Sequence, residues 1–343
     1  MSDLFQRFED YDELAPLLEG SDEEVLLALD GRPALIRIPG TEGGRRGRLF
    51  SCLLHGNEDS GYRAVLDVLR KQVRRPYDLW VFIGNVRAAS TGGWFAHRFL
   101  DDQEDFNRVW GLEPPTTRRR RCAAQVLEVL RDEAELDAAI DVHNNTGDNP
   151  AYAIVPRWSP EGLHLAATCT DLLLLWHLRA NTMMEALSDT CPAIALECGK
   201  AGVAAHAAFA REAIDRLLDL DLQGSLRRPA ITYEMRFRVE VRPEVSFAFG
   251  GALTDDLDLV LEPGLDSANY GMLLAGTVLG HVPVDGAMPL VARDMAGRDA
   301  TDRLFDIRDD GAVVITQDST PVMMVTTVRQ TRQDCLFYVA RRR

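Results

Sequence analysis

The spacing of apolar and polar positions changes several times along the chain, and each change predicts an element. Residues 1–20 read as an acidic amphipathic helix. Three strand-like runs follow over 24–30, 33–38 and 47–54, separated by glycine and charge clusters. Over 61–73 the apolar residues Val65, Leu66, Leu69 and Val73 recur at a helical period. Residues 78–84 form a short apolar run whose length and flanks fit a buried strand. Helices are expected over 120–136, 162–178 and 202–220, and strands over 138–143, 151–156 and 192–198. Alternating strands and helices indicate a largely parallel sheet with helices on both faces.

The pattern changes near Ile231. Residues 233–241 alternate with period two, and short β-like pieces punctuated by Gly, Pro and Asp continue to about 328 with no long helical pattern. A second, smaller all-β domain is therefore expected, with the boundary in 223–229: an α/β domain over 1–226 and a β-rich C-terminal domain over 227–343. No internal repeat or low-complexity segment interrupts either part.

Composition narrows the class. The 343 residues exceed the roughly 250–300 at which one core stops growing. A hydrophobic content of 46% with 27% charged residues is that of an ordinary globular chain. The net charge of −15 repels a polyanion, so no nucleic-acid partner is expected. The six cysteines, Cys52, Cys122, Cys169, Cys191, Cys198 and Cys335, include no C-x-x-C pair and read as buried free thiols of a reducing compartment. The first residues are acidic, with no basic segment leading into an apolar one, so no secretory leader is expected. The longest apolar run, near 172–178, falls far short of the ~20 residues of a membrane span. A cytoplasmic protein without membrane partners is expected.

Candidate chemistry collects at predicted strand ends, where open α/β sheets bind their ligands. His55 and Glu58 follow one strand, His143 another, and Glu197 ends a third. Arg98, Asn107 and Arg108 lie in a loop between them. Two histidines and a carboxylate form a sound catalytic zinc set, because three protein ligands leave a fourth position for water. A carboxylate outside that set, such as Glu197, can take the proton of the water. Arginines can hold a substrate carboxylate through paired hydrogen bonds or stabilise a developing oxyanion. Asp141 is placed to orient His143, or else to hold a loop. The run Arg118–Arg121 has no interleaved aromatics and reads as a solvated helix start, and His97, His164, His177, His206 and His281 lack ligand-like partners.

The motifs HGNE (55–58), NVRA (85–88), RFLDDQEDFNR (98–108), DVHNNTG (141–147) and ECG (197–199), in that order, resemble those of the succinylglutamate desuccinylase/aspartoacylase family of zinc carboxypeptidase-like hydrolases. The similarity covers the α/β domain and extends weakly into 267–280 and 311–325. It implies a zinc-carboxypeptidase-like mixed, mostly parallel sheet with an added β domain that narrows access and favours small substrates. It implies one zinc per chain, held by His55, Glu58 and His143. Glu197 would be the general base and later proton donor, and Arg98 would polarise the scissile carbonyl. Asn107 and Arg108 would grip the substrate α-carboxylate, with Asn144 and Tyr270 as further substrate contacts.

The chain departs from that pattern in two places. The Arg98–Arg108 stretch is longer than the family spacing, and residues 180–196 contain no Lys or Arg. The second departure argues against N-acetylaspartate, whereas the NNTG motif is nearer the aspartoacylase form. The expected activity is zinc-dependent hydrolysis of the amide of a small N-acylated amino acid or a related carboxylate. A metallocarboxypeptidase would use the same residues, and a non-catalytic zinc-binding metabolite sensor would lack a use for Glu197.

Overall fold

The structure is a computed structural model that describes residues 4–177 and 179–343. It divides into two compact units, one of residues 1–144 and 151–230, the other of residues 145–150 and 231–343. Residues 1–3 of the expected N-terminal helix, and residue 178 at the end of another, lie outside the described residues.

The first unit is a mixed, mostly parallel sheet with helices on both faces. Its strands are β1 (Gln6–Phe8), β2 (Ala34–Ile38), β3 (Arg46–Cys52), β4 (Asp78–Ile83), β5 (Glu135–Asn145), β6 (Tyr152–Val155), β7 (Leu172–Leu175) and β8 (Ala193–Lys200). They lie in the order β1-β2-β4-β3-β5-β8-β6-β7. Neighbours β1/β2, β4/β3, β3/β5 and β6/β7 run parallel, while β2/β4 and β6/β8 run antiparallel. The helices are α1 (Tyr11–Leu18), α2 (Asp22–Ala28), α3 (Asp59–Arg70), α4 (Val86–Ser90), α5 (Arg118–Glu133), α6 (Pro160–Cys169), α7 (Met183–Leu187) and α8 (Ala204–Leu218).

Both faces of the central strands are apolar, as a sheet covered on two sides requires. Phe50, Val81, Ile83, Ile140 and Val142 pack with α3, α6 and α8, while Leu49, Trp80, Phe82 and Ala139 face α5 and α7. A buried cation also lies in this core. Arg48, 2% exposed, donates to the last carbonyls of α8, those of Leu217 (2.7 Å) and Leu218 (3.3 Å), and to Leu220 O (2.7 Å). A cation there meets the negative end of the helix dipole.

Four expectations are corrected at the element level. Residues 24–30 belong mainly to helix α2, because Ser21 and Glu24 form a reciprocal capping box and the first turn is acidic. Near the N-terminus the chain first adds the edge strand β1 alongside β2, and the helix starts only after the Asp10 cap. The expected helix over 162–178 breaks after Cys169, and Leu172–Leu175 pairs with β6 instead. A continuous apolar run fits a buried parallel strand as well as a buried helix, so periodicity could not separate them. Residues 135–136, expected to close α5, open β5.

The second unit contains β9 (Ile231–Val241), β10 (Phe247–Phe249), β11 (Leu259–Leu261), β12 (Val278–His281), β13 (Leu290–Asp294), β14 (Phe305–Ile307), β15 (Ala312–Ile315), β16 (Thr320–Val322) and β17 (Phe337–Arg342). Strands β13, β9, β17 and β16 form one antiparallel array, and β10-β11-β12-β15-β14 form a second sheet. Both contribute to one apolar core around Val239, Leu261, Leu279, Val313 and Phe337. The helices here are short, α9 (Thr301–Leu304) and α10 (Val328–Gln333). Residues 145–150 are held in this unit by hydrogen bonds from Asp148 N to Asp266, from Asn269 to Asp148 O, and from Met323 N to Asn149. Among the described residues no helix is long and apolar enough to cross a membrane.

Candidate active site

His55 and Glu58 stand in the turn from β3 to α3. The buried Leu53 and Leu54 anchor the start of that turn, with Leu53 at φ 53°. Gly56 is required by contact: a Cβ there would lie 2.6 Å from Ala89 N and 2.8 Å from Ala88 Cβ. Glu58 occupies the N-cap position of α3, yet its side chain makes no capping bond. A carboxylate at that position commonly accepts from the first-turn amides. Here Asn144, at the end of β5, supplies the missing acceptor: its Oδ1 takes the Ser60 amide at 3.0 Å, and its Nδ2 donates to Ser60 Oγ (3.0 Å) and Gly199 O (2.9 Å). Glu58 is thereby released for other work, and the amide of Asn144, expected at the substrate, is committed to α3 and β8.

His143 lies on β5 two residues after Asp141, which pairs in register with Ser51 of β3 and accepts from its hydroxyl at 2.6 Å. His55 Nδ1 lies 2.8 Å from Glu58 Oε1, and His143 Nδ1 lies 2.6 Å from Glu58 Oε2. The opposite ring nitrogens face other carboxylates: His55 Nε2 is 3.1 Å from Asp105 Oδ1, and His143 Nε2 is 2.5 Å from Asp141 Oδ2. All three central residues are buried, and one ligating atom from each lies within 4.8 Å of the others. Among the described residues this is the one such group of His, Cys, Asp and Glu.

The donor chemistry of this cluster fits a metal ion. An imidazole that donates Nε2–H to a carboxylate presents a lone pair at Nδ1. Both Nδ1 atoms then face carboxylate oxygens of Glu58, acceptor against acceptor, which calls for a cation between them. Without a metal that cation is a proton. Burial works against a charged His143, but the charges of Asp141 and Glu58 outweigh it and hold its pKa well above the ordinary value. Burial likewise opposes ionisation of Glu58, yet the two histidines hold it well below the usual carboxylate range. Two nitrogens and a carboxylate oxygen are ligands that zinc accepts.

The loop from Arg98 to Arg108 carries the cationic groups. The Arg98 guanidinium spans two carboxylates, with Nη2 3.1 Å from Asp105 Oδ2 and Nη1 3.6 Å from Glu58 Oε1. Asp105 was not singled out in the sequence, although its motif was. It faces His55 and Arg98 together and also accepts the Asn107 amide at 2.8 Å. Despite burial, His55 and Arg98 keep its pKa well below the ordinary value. Asn107 Oδ1 accepts from Met183 N at 3.0 Å, while its Nδ2 lies 3.2 Å from His143 Nε2 and 3.5 Å from Asp141 Oδ2. Arg108 is half-buried, and its Nη1 donates to Asn107 O at 2.9 Å.

Glu197 sits near the C-terminal end of β8, 7% exposed. Burial raises its pKa to about 7; Glu58 pushes the same way, and His143, His55 and Arg98 oppose. The fold therefore brings His55, Glu58, His143, Asp141, Arg98, Asn107, Asn144 and Glu197 into one neighbourhood of the first unit, with Arg108 adjoining through Asn107. Tyr270 belongs to the second unit, where its ring meets Tyr233 edge-on at 5.5 Å and its amide donates to Pro321 O. The role expected of Tyr270 rests on the resemblance. His164, His206 and His281 contact backbone atoms or a single carboxylate. The six cysteines are free and buried.

Solved structures share this fold. The succinylglutamate desuccinylase of Chromobacterium violaceum is 19% identical, with a TM-score of 0.53, over 82% of this chain and 88% of that one. The succinylglutamate desuccinylase of Vibrio parahaemolyticus is 15% identical, with a TM-score of 0.57, over 90% and 86%. Murine aminoacylase 3 is 18% identical, with a TM-score of 0.53, over 88% and 97%. No family model and no curated protein sequence matches the chain. The likeness is one of fold, and it spans both units.

Proposed function

We propose that this chain is a zinc-dependent hydrolase that cleaves the amide bond of a small N-acylated amino acid or related carboxylate. The observation that carries the reading is the His55–Glu58–His143 group, its nitrogens and carboxylate turned on one point, with the raised carboxyl of Glu197 in the same buried cluster. The names of the similar structures, desuccinylase and aminoacylase, support the same reaction class.

A zinc ion held by His55, Glu58 and His143 would supply Lewis acidity, acidifying water and polarising a carbonyl. The chain's own groups do the rest. The Glu197 carboxylate accepts a proton from the attacking water. Arg98, held by Asp105, donates to the carbonyl oxygen as negative charge builds there. Glu197 then delivers its proton to the leaving nitrogen as the C–N bond breaks. Arg108 holds the free carboxylate with a planar pair of donors. Asn107, beside it, keeps the turn in place through Met183 N.

The test is a turnover panel with the zinc-loaded protein, N-acyl amino acids against dipeptides. Release of an amino acid from an N-acyl substrate, lost on chelation and restored by zinc, is the expected result. Preferential cleavage of dipeptides would replace the deacylase with a carboxypeptidase. Full zinc occupancy with no turnover anywhere would leave a metabolite-binding protein.

A further inference from the structure

The arginine run that opens α5 stands where the helix dipole disfavours cations, and only part of it is solvated. Arg118 and Arg121 are exposed, whereas Arg119 and Arg120 are half-buried and turned onto the 98–108 loop. The Arg119 guanidinium lies over the Phe106 ring, 4.8 Å from its centroid. Phe106 in turn stacks on Trp110 at 5.7 Å with the ring planes 14° apart. Arg119 Nη2 donates to Asn85 Oδ1 at 2.7 Å. Asn85 Nδ2 donates to the Arg98 carbonyl at 3.3 Å, and that carbonyl also takes the Gly56 amide at 2.9 Å. One residue on, Arg120 donates to Glu104 Oε1 from Nη2 (2.7 Å) and Nε (3.0 Å), and Thr117 Oγ1 donates to the same carboxylate.

The first turn of α5 therefore grips the loop at three points: the Arg98 carbonyl through Asn85, the Glu104 carboxylate, and the Phe106 ring. Between and beside those points stand Arg98, Asp105, Asn107 and Arg108. Apolar packing does not do this work alone. A cavity of about 240 Å³ lies against Asn85, Glu104, Phe106 and Arg119, so the loop on that side is held by polar bonds together with the buried Phe106 ring, which packs on Trp110 and Phe82. Arg119 Nη1 is buried without a hydrogen-bond partner, which is costly for a guanidinium. Burial lowers its pKa to about 10, so it stays charged at neutral pH. The cation over Phe106 and the bond to Asn85 offset that cost.

We infer that Arg119 is a positioning residue: through Asn85 and Phe106 it sets the loop that presents Arg98 and Arg108 to the substrate, with Arg120 on Glu104 as the second fastening. The catalytic consequence rests on the deacylase reading; the mechanical one does not. The experiment joins amide hydrogen exchange of the 98–108 segment with kinetics and zinc content, for wild type, Arg119→Met, Arg119→Lys and Glu104→Gln. Losing a charge-assisted bond should speed exchange of that segment by about tenfold or more in Arg119→Met, with exchange in β3, β5 and β8 unchanged. Zinc should stay stoichiometric while kcat/KM falls on the order of 10²-fold, as for a displaced reacting group. Arg119→Lys should recover only part, since an ammonium cannot both stack and reach Asn85. Glu104→Gln loosens the clamp from the loop side and serves if Arg119→Met does not fold. Unchanged exchange over 98–108 in the folded variants would overturn the inference, as would an increase spread over all strands. If wild type hydrolyses no N-acyl amino acid, the functional reading falls, and the exchange data still decide the clamp.

Discussion

The site has a strand-borne half and a loop-borne half, and the two are held by different physics. His143, Asp141 and Glu197 stand on β5 and β8, where ladder register and two apolar faces place each side chain. Arg98 and Asp105 stand on irregular chain and Asn107 and Arg108 in a short 3-10 turn (Phe106–Arg108), placed by side-chain bonds: Asp105 to His55 and Arg98, Asn107 to Met183, and Glu104 and Phe106 to α5. Removing a strand-borne group leaves its backbone where it was. Removing a loop-borne group should release others where bonds are shared, as at Asp105, which meets His55, Arg98 and the Asn107 amide together. In the proposed mechanism the proton-transfer group Glu197 and the ligand His143 stand on strands, while the ligands His55 and Glu58 stand in the turn from β3 to α3. The loop carries the arginines proposed to meet the carbonyl oxygen and the free carboxylate.

The largest expected effect comes from the strand half. His143→Ala should lose most bound zinc and all measurable hydrolysis, because two ligands hold the ion poorly. Elemental analysis after dialysis checks this, and equal zinc in wild type and mutant would break the assignment. Next comes Glu197→Gln, which should retain zinc and substrate affinity while kcat drops by about 10²–10⁴-fold. As the proposed base, Glu197 must be ionised to accept a proton, and burial raises its pKa to about 7. The wild-type rate therefore climbs as pH rises toward that value, with bound metal charge moving the limb to lower pH, and the mutant should lose the limb. Loss of zinc from this mutant would make Glu197 a ligand.

The loop half should give smaller and more selective losses. Arg108→Ala should cost about 2–5 kcal/mol in kcat/KM for a carboxylate substrate, and little for the corresponding amide, already poor. A two-by-two comparison of enzymes and substrates measures this, and an equal loss on both would remove Arg108 as the carboxylate anchor. Asp105→Asn should weaken zinc affinity or activity by about 10–100-fold, since it slackens His55 and Arg98 together. A competition titration against a zinc chelator reads the first, and kcat the second. If Asp105→Asn matched His143→Ala in zinc loss, the two halves would not differ as described.

Much of the strand half was legible because its signals are local. An apolar run ending in His, Asp or Glu marks a strand end with chemistry on it, and such runs predicted β3, β5 and β8. The 98–108 loop has no period to read. Its roles depend on which distant groups its polar atoms reach, so Asp105 passed unnoticed and Arg119 read as solvated surface. Asn144 shows the same limit from another side: its motif was legible, but its work in capping α3 follows from Glu58 turning away.

The sequence by itself determined the alternation of strands and helices, the switch to period-two pattern near Ile231, and the residue types able to bind a metal and move a proton. Those follow from periodicity and side-chain chemistry, which act over a few residues. Only the tertiary structure decided that Leu172–Leu175 leave the helix for the sheet, and that both Nδ1 atoms turn on Glu58 while both Nε2 atoms turn on aspartates. In each case the choice lay between conformations that local energetics left close, and contacts with chain far away in sequence separated them. His55 is 50 residues from Asp105, and Glu58 is 85 from His143; over such separations only the packed sheet brings the partners together.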